Sequence, residues 1–222
     1  INNLSIINHV YQKAKSTGIG DTYVATGDQE IFQEVKQNGG NCVLTEKEHK
    51  TGTDRIFEAY QKLNLNDVEY VINLQGDEPI IDIQDIQNLY NKTIKKKSEI
   101  STLACKIKNR QLFSKSNIVK VITEQELSTK NVSKAKAFTR NILENNYKNT
   151  YHHIGIYMYK VSILEKFVNL KQTKNEISHK LEQLRAMENN IEIDVNLANS
   201  SPIGVDTHED YMEIKKLMEY KN

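Results

Sequence analysis

The sequence predicts an α/β fold: a three-layer stack with a mostly parallel sheet, helices on both faces and a protruding insert. Three observations carry this. Short β-rich runs alternate with amphipathic helical stretches from the first residues onward. The run VEYVINLQ (68–75) is apolar on both sides, as a central parallel strand requires. No internal repeat or low-complexity linker interrupts the chain, so residues 1–222 read as a single domain and 124–150 as its insert or dimerisation excursion.

The elements follow in order. Ile6, Ile7, Val10 and Ala14 recur at helical spacing over 5–16. TYVAT (22–26) is a strand. DQEIFQEVKQNGG opens with a charged turn, carries Ile31 and Val35 on one face and stops at its glycines. NCVLT (41–45) is a second strand and 53–63 a helix through Ile56, Phe57, Tyr60 and Leu63. After the strand at 68–75, DIQDIQNLYNKTIKK is helical and ISTLACKI (100–107) is a strand. The second half is less regular. NIVKVIT (117–123) reads as a strand, followed by a polar excursion or hairpin to about 150, and HIGIYMYK (153–160) as an aromatic-rich strand. NEISHKLEQLRAMENN predicts one helix with Ile177, Leu181, Leu184 and Met187 in a stripe, and IEIDVNLA (191–198) a strand of period two. THEDYMEIKKLMEY predicts a closing helix capped by Thr207 with acids in its first turn.

Composition excludes several classes of function. Thirty Lys+Arg balance 29 Asp+Glu, which gives no general attraction to nucleic acid. Cys42 and Cys105 stand alone, without C-x-x-C or a Cys/His cluster; a disulfide framework or structural zinc is not expected, and a reducing cytoplasm is. No apolar run has the length of a membrane span, so no membrane insertion is expected. No G-x-x-x-x-G-K-[ST], G-x-G-x-x-G, Ser-His-Asp or Cys-His arrangement is present.

The remaining polar groups suggest chemistry. Asp77, in NLQGDEP, follows the buried strand at its carboxyl end, where such sheets open their ligand crevice. It is either a turn-capping residue or a Mg²⁺ ligand, since Mg²⁺ takes few protein carboxylates and fills its octahedron with water and phosphate. Asp206, in PIGVDTHED, occupies a similar strand-to-helix position; two strand-end carboxylates brought together make a divalent-metal clamp. HKTGTDR (49–55) opens a helix with hydroxyls and backbone N–H groups suited to phosphate, ribose or base, and Arg55 adds a planar donor fork. Capping by Thr51 or Thr53 is the competing reading. His153, Gly155 and Tyr157 share one face of a strand and could receive a sugar, or be half-buried polar tips. Glu182 and Gln183 flank the apolar stripe and either reach a cleft or face solvent.

The ordered set VATGDQEI, GG at 39–40, HKTGTDRI, VINLQGDEPII, NIVKV, FTR, HHIGIYMY, LEQLRAMENN and PIGVDTHEDY spans almost the whole chain. In this set the sequence resembles the 3-deoxy-manno-octulosonate (Kdo) cytidylyltransferases. The resemblance implies a nucleotide-diphospho-sugar transferase-like fold, a cytoplasmic homodimer, and Mg²⁺-dependent transfer of CMP from CTP to Kdo for lipopolysaccharide synthesis. It implies Asp77 and Asp206 as catalytic metal ligands, and Ala25, Thr26, Thr51, Gly52 and Arg55 as nucleotide-binding residues. Gln75, Arg140, His153, Tyr157, Glu182 and Gln183 would form the sugar pocket, with Arg140 pairing the sugar carboxylate. The competing readings are cytidylyl transfer to sialic acid or methylerythritol phosphate, and an inactive nucleotide-binding relative.

The family begins with a strand and a glycine- and basic-rich phosphate loop, and INNLSIINHV matches the stretch after it. A chain starting literally at Ile1 is expected to be poorly folded and inactive. Gly27 stands where the family usually has Asp, and Asn141 where a proline commonly follows the arginine.

Overall fold

A computed structural model describes residues 1–142, 148–199 and 204–219. The chain divides into two compact units, Ile1–Val68 with Asn73–Gln87 and Pro202–Asn222, and Glu69–Ile72 with Asn88–Ser201.

The first unit is built of short βα steps: α1 (Ile6–Ser16), β1 (Val24–Thr26), α2 (Gln29–Gln37), β2 (Cys42–Leu44) and α3 (Gly52–Leu63). Strands β1 and β2 pair in parallel, as a crossover through a helix dictates. Asp28 caps α2, its carboxylate accepting from the N–H groups of Glu30 and Ile31. Gly39, at φ +72°, turns the chain out of that helix in the left-handed conformation that glycine adopts without strain. Tyr11, Val24, Val35 and Cys42 form the core, with Ile7 and Phe32 packed against it. The closing helix α8 (His208–Glu219) belongs to the same unit. Thr207 caps it as predicted, donating to and accepting from Asp210.

The second unit carries a six-stranded sheet. Its members are β3 (Tyr70–Asn73), β4 (Ile100–Lys106), β5 (Lys120–Thr123), β6 (Ser133–Thr139), β7 (Thr150–Lys160) and β8 (Ile193–Leu197). They lie in the order β3-β7-β4-β8-β6-β5. The helix α4 (Ile83–Lys96) is as predicted, whereas α5 (Val161–Val168) was not expected. The expectation of a mostly parallel sheet needs correction: β4 and β8 are parallel, but β4–β7, β5–β6, β5–β7 and β6–β8 are antiparallel. The link from Thr123 to Ser133 carries no helix, and consecutive strands without a crossover pair antiparallel. The sheet is mixed. Of the excursion placed at 124–150, β6 is one of the sheet strands, and 143–147 lie outside the described residues.

The single helix expected at 175–190 is two, α6 (Lys174–His179) and α7 (Gln183–Glu188). Lys180 between them is left-handed at φ 52°. The expected stripe holds only in part: Leu181 is buried and Leu184 and Met187 half-buried, but Ile177 is 60% exposed, and Glu176 and Arg185 are buried. Arg185 Nε donates to Glu176 Oε2 at 2.9 Å, and its guanidinium lies 4.6 Å from the Phe167 ring centroid. The buried ion pair shares the inward side of these turns with Leu181 and Ala186.

Candidate active site

In the first unit, β1 ends in Ala25 and Thr26, and a cleft of about 640 Å³ opens beside them, lined also by Gly27, Lys47 and Arg55. Arg55, in the first turn of α3, donates to Thr45 Oγ1 (2.7 Å), Glu46 O (3.0 Å) and Lys47 O (3.1 Å). Three of its five donors therefore hold the 45–47 segment against the cleft. Thr51 and Gly52 do not line this cleft. Thr51 caps α3, its hydroxyl accepting from Asp54 N and donating to Asp54 Oδ2, and Gly52 is the first helical residue. The Glu58 carboxylate holds the same loop: Glu46 N donates to it and His49 Nε2 lies 2.6 Å away. Burial pushes the Glu58 carboxyl up, but hydrogen bonds from Lys62, Glu46 N and His49 prevail and hold it below its ordinary value.

Gly27, where the resemblance leads one to expect Asp, leaves no room for a side chain. A Cβ there would lie 2.5 Å from Glu46 O, 2.7 Å from Lys47 Cα and 2.7 Å from Arg55 Nη1. The 45–47 segment fills the space that an Asp side chain would need. Gly27→Ala is expected to push this segment outward and destabilise the protein by about 1–3 kcal/mol, the range of an overpacked site. Urea unfolding checks this, and an unchanged midpoint would contradict the close approach.

Asp77 is half-buried in the loop after β3. Val205 N donates to Asp77 O at 3.0 Å, and a Cβ on Gly204 would lie 3.6 Å from Asp77 Oδ2. The segment carrying Asp206 thus runs directly against Asp77. Burial, foremost, and then the charge of Asp206 raise the Asp77 carboxyl above its ordinary value. Glu78 is pushed up to about 7, by burial first and by Asp77 second, and its Oε2 lacks a hydrogen-bond partner among the described residues. Two oxygen-donor carboxylates that repel one another, with Asp206 exposed to water, fit a hard divalent cation such as Mg²⁺. Gln75 lies in this loop too, in the first unit rather than with the other predicted sugar residues.

The second unit holds Arg140, His153, Tyr157, Glu182 and Gln183. Arg140 follows β6 and donates to Ser116 O, His179 O and Lys180 O at 3.1–3.2 Å. Among the described residues, two of its five donors make no hydrogen bond. The wholly buried Lys120 supports it, with Nζ donating to Arg140 O (2.7 Å) and Lys115 O (2.6 Å). The break at Lys180 supplies carbonyls to Arg140 and starts α7 at the buried Gln183. On β7, the His153 ring lies 5.0 Å from Phe138 edge-on and 5.4 Å from Tyr157. Burial, then Tyr159 and Glu182, raise the Tyr157 phenol well above its usual range, which keeps it a neutral donor. Burial, with a smaller contribution from His152, pushes His153 down to about 3.

That shift has a pH consequence. Between about 6.5 and 3 the unfolded chain binds a proton at His153 that the folded chain does not, so stability falls as pH drops through this window. His153→Gln should flatten the slope, with its stability deficit against the parent about 1–2 kcal/mol smaller at pH 5 than at pH 7. Urea titrations at the two pH values measure it.

The sequence reading missed Lys120 and the Glu176–Arg185 pair: Lys120 joins two segments through main-chain carbonyls, and Arg185 reaches Glu176 across the α6–α7 turn, although Thr173 and Glu176 form a capping box that T-x-x-E could have signalled. Among the described residues no helix is long and apolar enough to cross a membrane.

Comparison with known proteins shows the family and the fold. The cytidylyltransferase family model matches residues 1–193. The 3-deoxy-manno-octulosonate cytidylyltransferase of Thermodesulfovibrio yellowstonii is 39% identical over 98% of this chain and 89% of its own length. That of Rickettsia typhi is 34% identical over 99% and 88%. The solved structure of a CMP:2-keto-3-deoxy-manno-octonic acid synthetase complexed with CTP superimposes with a TM-score of 0.86 at 30% identity, covering 98% of this chain and 88% of that one. A UDP-glucose pyrophosphorylase shares the fold at a TM-score of 0.70 and 15% identity, covering 98% and 87%. By sequence and by fold, the chain belongs to the cytidylyltransferase family, among its 3-deoxy-manno-octulosonate members.

Proposed function

We propose that the protein transfers CMP from CTP to the anomeric 2-hydroxyl of Kdo, releasing pyrophosphate and forming CMP-Kdo for lipopolysaccharide synthesis. The observation that carries this reading is the meeting of Asp77 with the Asp206 segment in the unit that also holds the Arg55 cleft. Phosphoryl-type transfer asks the protein for positioning and charge neutralisation more than for covalent chemistry.

Ala25, Thr26 and the Arg55-braced loop would hold the cytidine end. Thr51 and Gly52 would contribute through the N-terminal turn of α3 rather than through the cleft wall. Asp77 and Asp206 would hold Mg²⁺, which when bound would neutralise charge on the triphosphate and the leaving pyrophosphate. Gln75 would contact the sugar from the Asp77 loop. Arg140 would take the sugar carboxylate with its two remaining donors. His153, Tyr157, Glu182 and Gln183 would orient the hydroxyls, and the raised Tyr157 phenol would donate without ionising.

Cys42 and Cys105, both buried and neither in a disulfide, support a reducing cytoplasm as the place of action. A homodimer completes the proposal, and sedimentation of the purified chain tests it. The deciding assay is pyrophosphate release from CTP by the purified protein, with and without Kdo and Mg²⁺. Release that depends on both is expected; release indifferent to Kdo would refute the reading.

A further inference from the structure

We propose that Thr102 is a positioning residue that fixes His153 in its Nε2-protonated tautomer and leaves Nδ1 as a hydrogen-bond acceptor for a sugar hydroxyl. The acceptor role rests on the reading of His153 as a sugar-pocket residue, whereas the tautomer assignment stands on local geometry.

Thr102 is completely buried in the middle of β4, at an irregularity of the sheet. Thr102 pairs with Tyr157, but its neighbour Leu103 pairs with Ile154, so one step along β4 spans three along β7. Gly155 and Ile156 fall outside the ladder, as in a β-bulge, and bulges re-aim side chains beside functional sites. The Thr102 hydroxyl occupies this interruption. Its Oγ1 lies 2.8 Å from Ile156 O, 3.2 Å from Ile154 O and 3.0 Å from His153 Nε2.

A hydroxyl has one proton and two lone pairs. Both carbonyls can only accept, so the proton goes to them and a lone pair faces the ring. Nε2 must then carry hydrogen. The ring is buried and neutral, since burial pushes it down to about 3, so Nδ1 holds the lone pair. Asn196 Nδ2 donates to Thr102 O at 3.4 Å and steadies the strand at this point. Arg140 brings donors only, so a neutral acceptor on the same unit would be complementary to the donor half of a sugar hydroxyl.

The test combines a spectroscopic readout with a kinetic one. In protein labelled with ¹⁵N-histidine, the His153 signals, identified by their loss in His153→Gln, report the tautomer directly. The parent and Thr102→Ser are expected to show the Nε2–H form alone. Thr102→Val and Thr102→Ala, which cannot accept from the ring, should show the Nδ1–H form or a mixture. The KM for Kdo should rise about tenfold in both, the scale of one misdirected hydrogen bond, while the KM for CTP stays within about twofold. Thr102→Ser should restore the parental values. An Nδ1–H tautomer in the parent would overturn the assignment even if no variant folds. An unchanged tautomer in Thr102→Val or Thr102→Ala, or equal rises in both KM values, would also overturn the proposal. If His153→Gln itself leaves the KM for Kdo unchanged, the sugar-pocket reading is what fails, and the acceptor role fails with it.

Discussion

Asp77→Asn should lower pyrophosphate release by at least about a thousandfold without weakening the fold, the scale expected when a charge-stabilising group is lost. The amide keeps the shape of the side chain, and Val205 N donates to the main-chain oxygen of residue 77, which the substitution leaves in place. It removes the negative charge that Asp206 and burial oppose. A carboxyl whose folded pKa lies above its unfolded value costs stability once pH passes the unfolded value, here near 3.8, and the full cost is present above the folded value. At neutral pH the asparagine variant should therefore melt at the same temperature as the parent or higher, measured without added metal. Asp206→Asn should show the same loss of turnover. A stable Asp77→Asn protein with near-parental rates would remove Asp77 from the metal site. A protein that loses activity and melts much earlier would show that Asp77 serves the loop.

These two carboxylates were legible in the sequence because the signal is local: an apolar run ends, a glycine loosens the chain, and an acid stands where a strand gives way. The helices and strands of the first unit were legible for the same reason, from their own apolar faces and, for α2 and α8, their own caps at Asp28 and Thr207. Arg55 was found as a donor fork, but its grip on the 45–47 segment was not, because that depends on Gly27 leaving room. The second unit was less legible. Its antiparallel pairings and the β4–β7 bulge are set by contacts between strands far apart in sequence. A period-3.6 pattern cannot register a left-handed residue at Lys180, nor tell that an arginine and a glutamate will be buried beside Leu181.

That buried pair sets the largest expected stability effect. Glu176 is 3% and Arg185 2% exposed, and the carboxylate also accepts from Gln172 Nε2 (3.1 Å) and Thr173 N (3.2 Å). Burial alone would raise the Glu176 carboxyl; the hydrogen bonds, led by that from Arg185, lower it below its usual value. Removing one partner leaves the other charged and enclosed, so Glu176→Gln or Arg185→Met should each cost about 3–5 kcal/mol. The double variant Glu176→Leu/Arg185→Met should cost less than the sum of its single changes, since neither charge is then stranded. The pH dependence has a definite sign. The stability that Glu176 contributes is present above its unfolded value near 4.5 and is lost as pH falls through the lower folded value. Glu176→Gln should lose that part of the acid sensitivity. Urea unfolding of the two single variants and the double variant, at pH 7 and pH 4, measures both effects. Losses that simply add would mean the two charges do not depend on each other. Because α7 begins at Gln183 and the α6–α7 turn gives Arg140 two carbonyls, the single variants that still fold should also bind Kdo more weakly than CTP relative to the parent. An unchanged KM for Kdo in a folded single variant would separate the ion pair from the sugar pocket and leave it a purely structural element.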